Sequence, residues 1–132
     1  MVKIVSVENY KDYGRCVEIT NGVISALVTT EIGPRIISFG LSGGQNFMND
    51  NRKLLGGKDM DKPYTDFFGE NRRWENLGGH RIWLSPESYP ETYTPDDKPC
   101  TVKETENGAV FIYAEDSEIG VQKEMEIKMD AD

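Results

Sequence analysis

The sequence predicts a mainly β fold, an antiparallel β-sandwich, and three observations carry that expectation. β-branched runs flank Asn-Gly pairs near both ends of the chain, the last segment alternates between apolar and polar residues, and no window shows a sustained helical period. With 132 residues there is room for one domain, 1–132, burying about two thirds of its unfolded surface.

Glu18-Ile19-Thr20, Asn21-Gly22 and then Val23 to Thr30 read as a hairpin closed by a type I′ turn, whose twist matches that of paired strands. Gly33-Pro34 interrupts the pattern. Arg35 to Gly40 resumes it as another strand with proline at its entrance, where a missing N–H costs least, so residues 1–40 form a meander. A second hairpin is expected from Val102 to Glu106, a turn at Asn107-Gly108, and Ala109 to Ala114. There Val110 and Ile112 alternate with Phe111 and Tyr113, so both faces are apolar and the strand should be internal. In the last segment Val121, Met125, Ile127 and Met129 share one face, while Gln122, Glu124, Glu126 and Lys128 share the other. Lys123 alone breaks the apolar face.

Between the hairpins, residues 43–100 hold seven glycines and five of the six prolines, a composition unsuited to long ladders. A long loop region is therefore expected at about 41–100. Its aromatic content argues for order, because Trp and Tyr supply the burial that disordered segments lack. A short strand from His80 to Leu84 would place His80, Ile82 and Leu84 on one face and Arg81 and Trp83 on the other.

Charge narrows the partners. Fifteen basic and twenty-three acidic residues give a net charge of −8, which disfavours nucleic acid and anionic lipid. The opening Met1 to Glu8 carries an acid where a signal peptide would continue its apolar run, and no long apolar run follows, so a soluble, cytoplasmic protein is expected. Cys16 and Cys100 lie far apart, so the expectation is two free thiols. One histidine with scattered carboxylates lacks the spacing of a zinc site, no calcium loop or phosphate-binding glycine motif is present, and no metal or cofactor is expected.

The stretch that carries candidate chemistry is Gly78-Gly79-His80-Arg81-Ile82-Trp83-Leu84-Ser85-Pro86-Glu87. It lies within 64–93, which holds seven of the thirteen aromatics: Tyr64, Phe67, Phe68, Trp74, Trp83, Tyr89 and Tyr93. Glu70, Arg72, Arg73, Glu75, Arg81, Glu87 and Glu91 are interspersed. Flat apolar faces mixed with bidentate donors and acceptors suit a ligand with apolar patches and many hydroxyls, as a sugar has. An aromatic satellite core under long loops is the alternative.

His80 is a weak candidate acid/base, since imidazole is the side chain suited to exchanging protons around neutral pH, and Glu87 and Glu70 are the carboxylates to pair with it. A hydrogen-bonded structural role for His80 is equally open. His80, Arg81, Trp83, Glu87, Trp74 and Tyr93 are the candidate sugar contacts; Arg72 and Arg73 are expected to pair with Glu70, Glu75 and Glu87. Gly78-Gly79 reads as a bulge or tight turn.

Two stretches resemble the galactose mutarotase-like superfamily of aldose epimerases and sugar-binding domains. One runs from Ile19-Thr20-Asn21-Gly22 through Ala26-Leu27-Val28-Thr29 and Ile32-Gly33-Pro34-Arg35-Ile36-Ile37-Ser38-Phe39 to Gly43-Gly44-Gln45-Asn46-Phe47. The other is Gly78-Gly79-His80-Arg81-Ile82-Trp83 with Pro86-Glu87 and Tyr93-Thr94-Pro95-Asp96, similar to an uncharacterised bacterial branch. The resemblance covers the N-terminal part of a longer family member and implies an incomplete version of the family's sandwich. It also implies that the histidine acid and glutamate base of epimerisation fall beyond residue 132. Two readings follow: a non-catalytic carbohydrate-binding or self-assembly module, or an aldose epimerase-like isomerase, or a fragment of one, in which His80 and Glu87 or Glu70 act as the acid/base pair. Either would take a small sugar. A homodimer through the C-terminal strand is a further expectation, from an apolar face left open by the missing strands.

Overall fold

The computed structural model describes residues 1–55 and 60–132, which form two antiparallel sheets with few helices. Strands β1 (Lys3–Val7), β2 (Cys16–Thr20), β3 (Ile24–Thr29), β4 (Arg35–Leu41) and β5 (His80–Arg81) form the larger sheet in sequence order. The smaller sheet is β6 (Cys100–Thr105), β7 (Gly108–Tyr113) and β8 (Glu124–Lys128), with β7 in the middle. The meander, the second hairpin and the internal position of the Phe111 strand all match the pattern read from the residues.

Alternation along the strands builds two apolar layers on the larger sheet. Val17 and Ile19 of β2 and Ala26 and Val28 of β3 join Ala109 and Phe111 of β7, Met125 of β8 and Met129 just beyond it, so this layer binds the two sheets. Cys16, Leu27 and Ile37 point the other way and pack with Tyr13, from a short 3₁₀ turn at Lys11–Tyr13. A bulge makes this possible in β4: Leu27 pairs with Ser38 but Val28 with Ile36, leaving Ile37 as the extra residue. Both cysteines are free, and burial pushes each thiol up to about 11.

Asn21-Gly22 does not form the type I′ turn expected of it, and Asn107-Gly108 is not the two-residue loop of the second hairpin. Neither Asn21 nor Asn107 has the positive φ that such a turn requires at its first central residue. Asn21 instead turns the chain with its side chain, whose Oδ1 accepts from the backbone N–H of Val23 and of Ile24, both at 2.9 Å. In the second hairpin the loop is Glu106-Asn107 and Gly108 already belongs to β7, paired with Thr105 and Lys128. A Cβ at Gly108 would lie 1.9 Å from the carbonyl oxygen of Ile127, so this glycine serves the close approach of β8.

Two short helices occupy the loop region where only loops and short strands were expected: α1 (Arg52–Leu55) and α2 (Lys62–Phe68). At seven residues α2 is too short to show a sustained period. Its local signals are nonetheless in place: Asp61 caps Tyr64 N at 3.2 Å, Pro63 sits in the first turn, and Tyr64 and Phe68 are spaced to share its buried face. The expected strand from His80 to Leu84 shrinks to His80–Arg81.

β8 is an edge strand, but its apolar face is not open. Met125 and Met129 are buried beneath the larger sheet, and Glu124 and Glu126 face outward. No helix among the described residues is long and apolar enough to cross a membrane.

Candidate functional site

Lys123, the residue that interrupts the apolar face of the last segment, ends in a buried cluster of charges. Its Nζ donates to Asp96 Oδ1 at 2.5 Å and to Thr94 Oγ1 at 3.0 Å. Asp96 Oδ2 accepts from Arg81 Nη1 at 2.7 Å and from Arg35 Nη2 at 3.2 Å. Three cations from β4, β5 and the approach to β8 thus converge on one carboxylate whose side chain is 3% exposed. β4 and β5 bring the two arginines together because Arg35 is paired directly with Arg81. Arg35 also donates to the carbonyl of Gly78 at 2.7 Å, which fastens the loop before β5.

Burial pushes the Asp96 carboxyl up, but Lys123, Arg81 and Arg35 more than reverse this and hold it below the ordinary carboxylate range. Asp116 goes the opposite way. It is fully buried, among the described residues neither carboxylate oxygen has a hydrogen bond and its ion-pair partner is Lys123 at 3.6 Å, so burial holds its carboxyl above the ordinary range. The signs oppose as well. Asp96 contributes stability above its unfolded pKa of about 4, which is lost as pH falls through the folded value. The Asp116 contribution is complete below about pH 4 and is lost as pH rises through its raised folded value. In urea titrations the native chain should accordingly lose stability relative to Asp116→Asn as pH rises above about 4; a constant difference across the series would contradict this assignment.

Arg81 links the charge cluster to an aromatic face. Its guanidinium carbon lies 3.8 Å from the centroid of Trp83 and 5.9 Å from that of Trp74. Tyr93 is the hub of the rings, edge-on to Trp83 at 5.3 Å, to Tyr89 at 5.3 Å and to Trp74 at 5.7 Å. From beneath, α2 supports them, since Tyr64 is buried beside Tyr89 and its hydroxyl donates to the carbonyl of Tyr93 at 2.9 Å. Trp83 and Tyr89 remain 37% and 46% exposed, so ring surface is left for a ligand. The Tyr89 hydroxyl donates to Asp61 Oδ1 at 2.5 Å and the Tyr93 hydroxyl to Glu87. Those hydrogen bonds, more than burial, push the Tyr89 phenol up to about 12 and raise that of Tyr93, so both remain protonated donors near neutrality.

Of the residues singled out in the sequence, Arg81, Trp83, Trp74, Tyr93 and Glu87 come together here. His80 does not join them by any hydrogen bond. It is exposed, and the register sets it opposite Ile36, whose side chain packs toward the layer between the sheets, while Arg81 points the other way. Among the described residues no hydrogen bond or ion pair joins His80 to Glu87 or Glu70, and Glu70 is exposed. Arg73 pairs with Glu75 at 2.8 Å as expected, whereas Arg72 takes Asp97 at 2.8 Å and Glu118 at 3.1 Å rather than Glu70 or Glu87.

Sequence reasoning missed the roles of Asp96, Lys123, Asp116 and Asp61. Lys123 did leave a signal, as a cation in an apolar register, and such a residue must find a buried counter-charge. Nothing local marked Asp96 as its partner. Comparisons with family models, curated proteins and solved structures found no match to this chain.

Proposed function

We propose that the chain is a carbohydrate-binding domain of galactose mutarotase-like type. Its stacking surface is the aromatic face of Trp83, Tyr89 and Tyr93, and its ligand is a small sugar. The observation that carries this reading is the combination of partly exposed rings with hydrogen-bonding groups fixed at their border. C–H faces of a pyranose pack on aromatic rings, and its hydroxyls can donate to the remaining lone pairs of Glu87 and Asp61 and to the two phenol oxygens, whose own hydrogens those carboxylates already accept. Binding is favoured over epimerisation because this face is a stacking platform, whereas the acid/base reading rests on His80, which is not joined to a carboxylate.

Titration with free hexoses and pentoses by ligand-observed NMR tests the reading, with α/β anomer exchange followed in the same tubes. Trp83→Ala should weaken sugar binding about tenfold, the loss of one stacking contact. Circular dichroism checks that the variant folds, and Tyr89→Ala, at the most exposed ring of the face, gives a second route should it not. Unchanged affinity in both variants would remove this face from the binding reaction, and anomer exchange accelerated by the native chain would promote the epimerase reading instead.

A further inference from the structure

The polar groups around the aromatic face are uneven in charge. Among the described residues the cations beside it in sequence and space are paired: Arg81 with Asp96, Arg72 with Asp97 and Glu118, and Lys62 with Asp66 at 2.6 Å. The carboxylates at its border are not neutralised in the same way. Glu87 and Asp61 each receive a tyrosine hydroxyl, and Asp61 also caps α2, but neither is in an ion pair among the described residues. An ionised carboxylate offers about four acceptor positions, so both keep capacity for a further donor. The chain's net charge of −8 adds a field of the same sign.

We infer that this face takes a saccharide bearing an ammonium group, with Glu87 and Asp61 as the residues that determine the charge preference, and that it disfavours phosphorylated and carboxylated sugars. The inference rests on the carbohydrate-binding reading. An ammonium brings three donors to two acceptor-only groups and is attracted to the faces of Tyr89 and Trp83. A phosphate would meet two carboxylates, and among the described residues no unpaired cation borders them to offset the repulsion.

The test compares glucosamine, N-acetylglucosamine and glucose 6-phosphate on the full chain at about pH 6, where an amine of ordinary basicity is protonated, and at low salt. Glucosamine is expected to bind at least about fivefold more tightly than its uncharged N-acetyl form, with glucose 6-phosphate weakest. Glu87→Gln and Asp61→Asn, the latter keeping a good helix cap, should each bring the ratio toward one. Equal or tighter binding of N-acetylglucosamine, or tightest binding of glucose 6-phosphate, would overturn the inference and leave the carbohydrate reading standing. A preference unaltered in both variants would overturn the assignment of Glu87 and Asp61. No binding by any of the three, or by the neutral hexoses, would remove the carbohydrate reading and the inference with it.

Discussion

Asp96→Asn should lower the stability of the domain by about 3–5 kcal/mol, because one substitution removes the carboxylate shared by three cations, two of them buried, and leaves only Asp116 beside Lys123. Arg35, Arg81 and Lys123 all bond this carboxylate, and the side chains of Arg35 and Lys123 are 3% and 4% exposed. Asparagine is the informative replacement, since Asp96 has φ +51°, a left-handed conformation that Asn tolerates and most residues do not, so the change isolates charge from backbone strain. Urea denaturation near neutral pH gives the difference. Asp66→Asn, which removes an exposed partner of Lys62, should cost no more than about 1 kcal/mol. A loss for Asp96→Asn no greater than that control would mean that water reaches the cluster. The advantage of the native chain should also fade in acid, as Asp96 protonates below about pH 4.

Gly79→Ala should cost about 2–5 kcal/mol, combining left-handed strain with overpacking. Gly79 has φ +64°, and an added Cβ would sit 2.5 Å from the carbonyl oxygen of Ile36, in the strand that pairs with β5. Its N–H also donates to the carbonyl of Asn49 at 2.9 Å, so the chain has little freedom to move aside. Displacing β5 moves Arg81 and with it the support beneath Trp83, and near-ultraviolet circular dichroism should register the change. Gly43→Ala separates the two contributions: its φ is +72° but nothing lies within 4 Å of the added carbon, so only the strain of about 1–2 kcal/mol remains. Equal losses at the two positions would show that the contact with Ile36 relaxes freely.

Gly78-Gly79 illustrates what is readable locally. Adjacent glycines before a polar strand indicate a turn, and both residues do have positive φ. Why that turn is needed becomes apparent only when Asn49 and Ile36 arrive from distant parts of the chain. The Asn-Gly pairs make the same point in reverse. Each lies at a real hairpin, yet Asn21 works through its side chain and Gly108 through the room it leaves for β8.

The candidate site divides along the same line. Arg81, Trp83, Glu87 and Tyr93 were legible because aromatic and charged residues crowd one segment, and that density is a local property. Asp61 and Lys123 were not, because one is a helix cap and the other a flaw in a strand until folding brings them to Tyr89 and Asp96.

From its order of residues alone, the chain determined its β class, its two hairpins, the inward faces of most strands, and the segment in which the aromatic rings would cluster. Those features follow from periodicities and turn chemistry that act over a few residues. Tertiary structure alone decided which face each aromatic joined, which carboxylate neutralised Arg35, Arg81 and Lys123, and that His80 lies opposite Ile36 on the other face of β5 from Arg81. Hydrogen bonds and ion pairs between residues as far apart as Arg35 and Asp96 depend on sheet register and on a bulge at Ile37, and no short-range pattern encodes these.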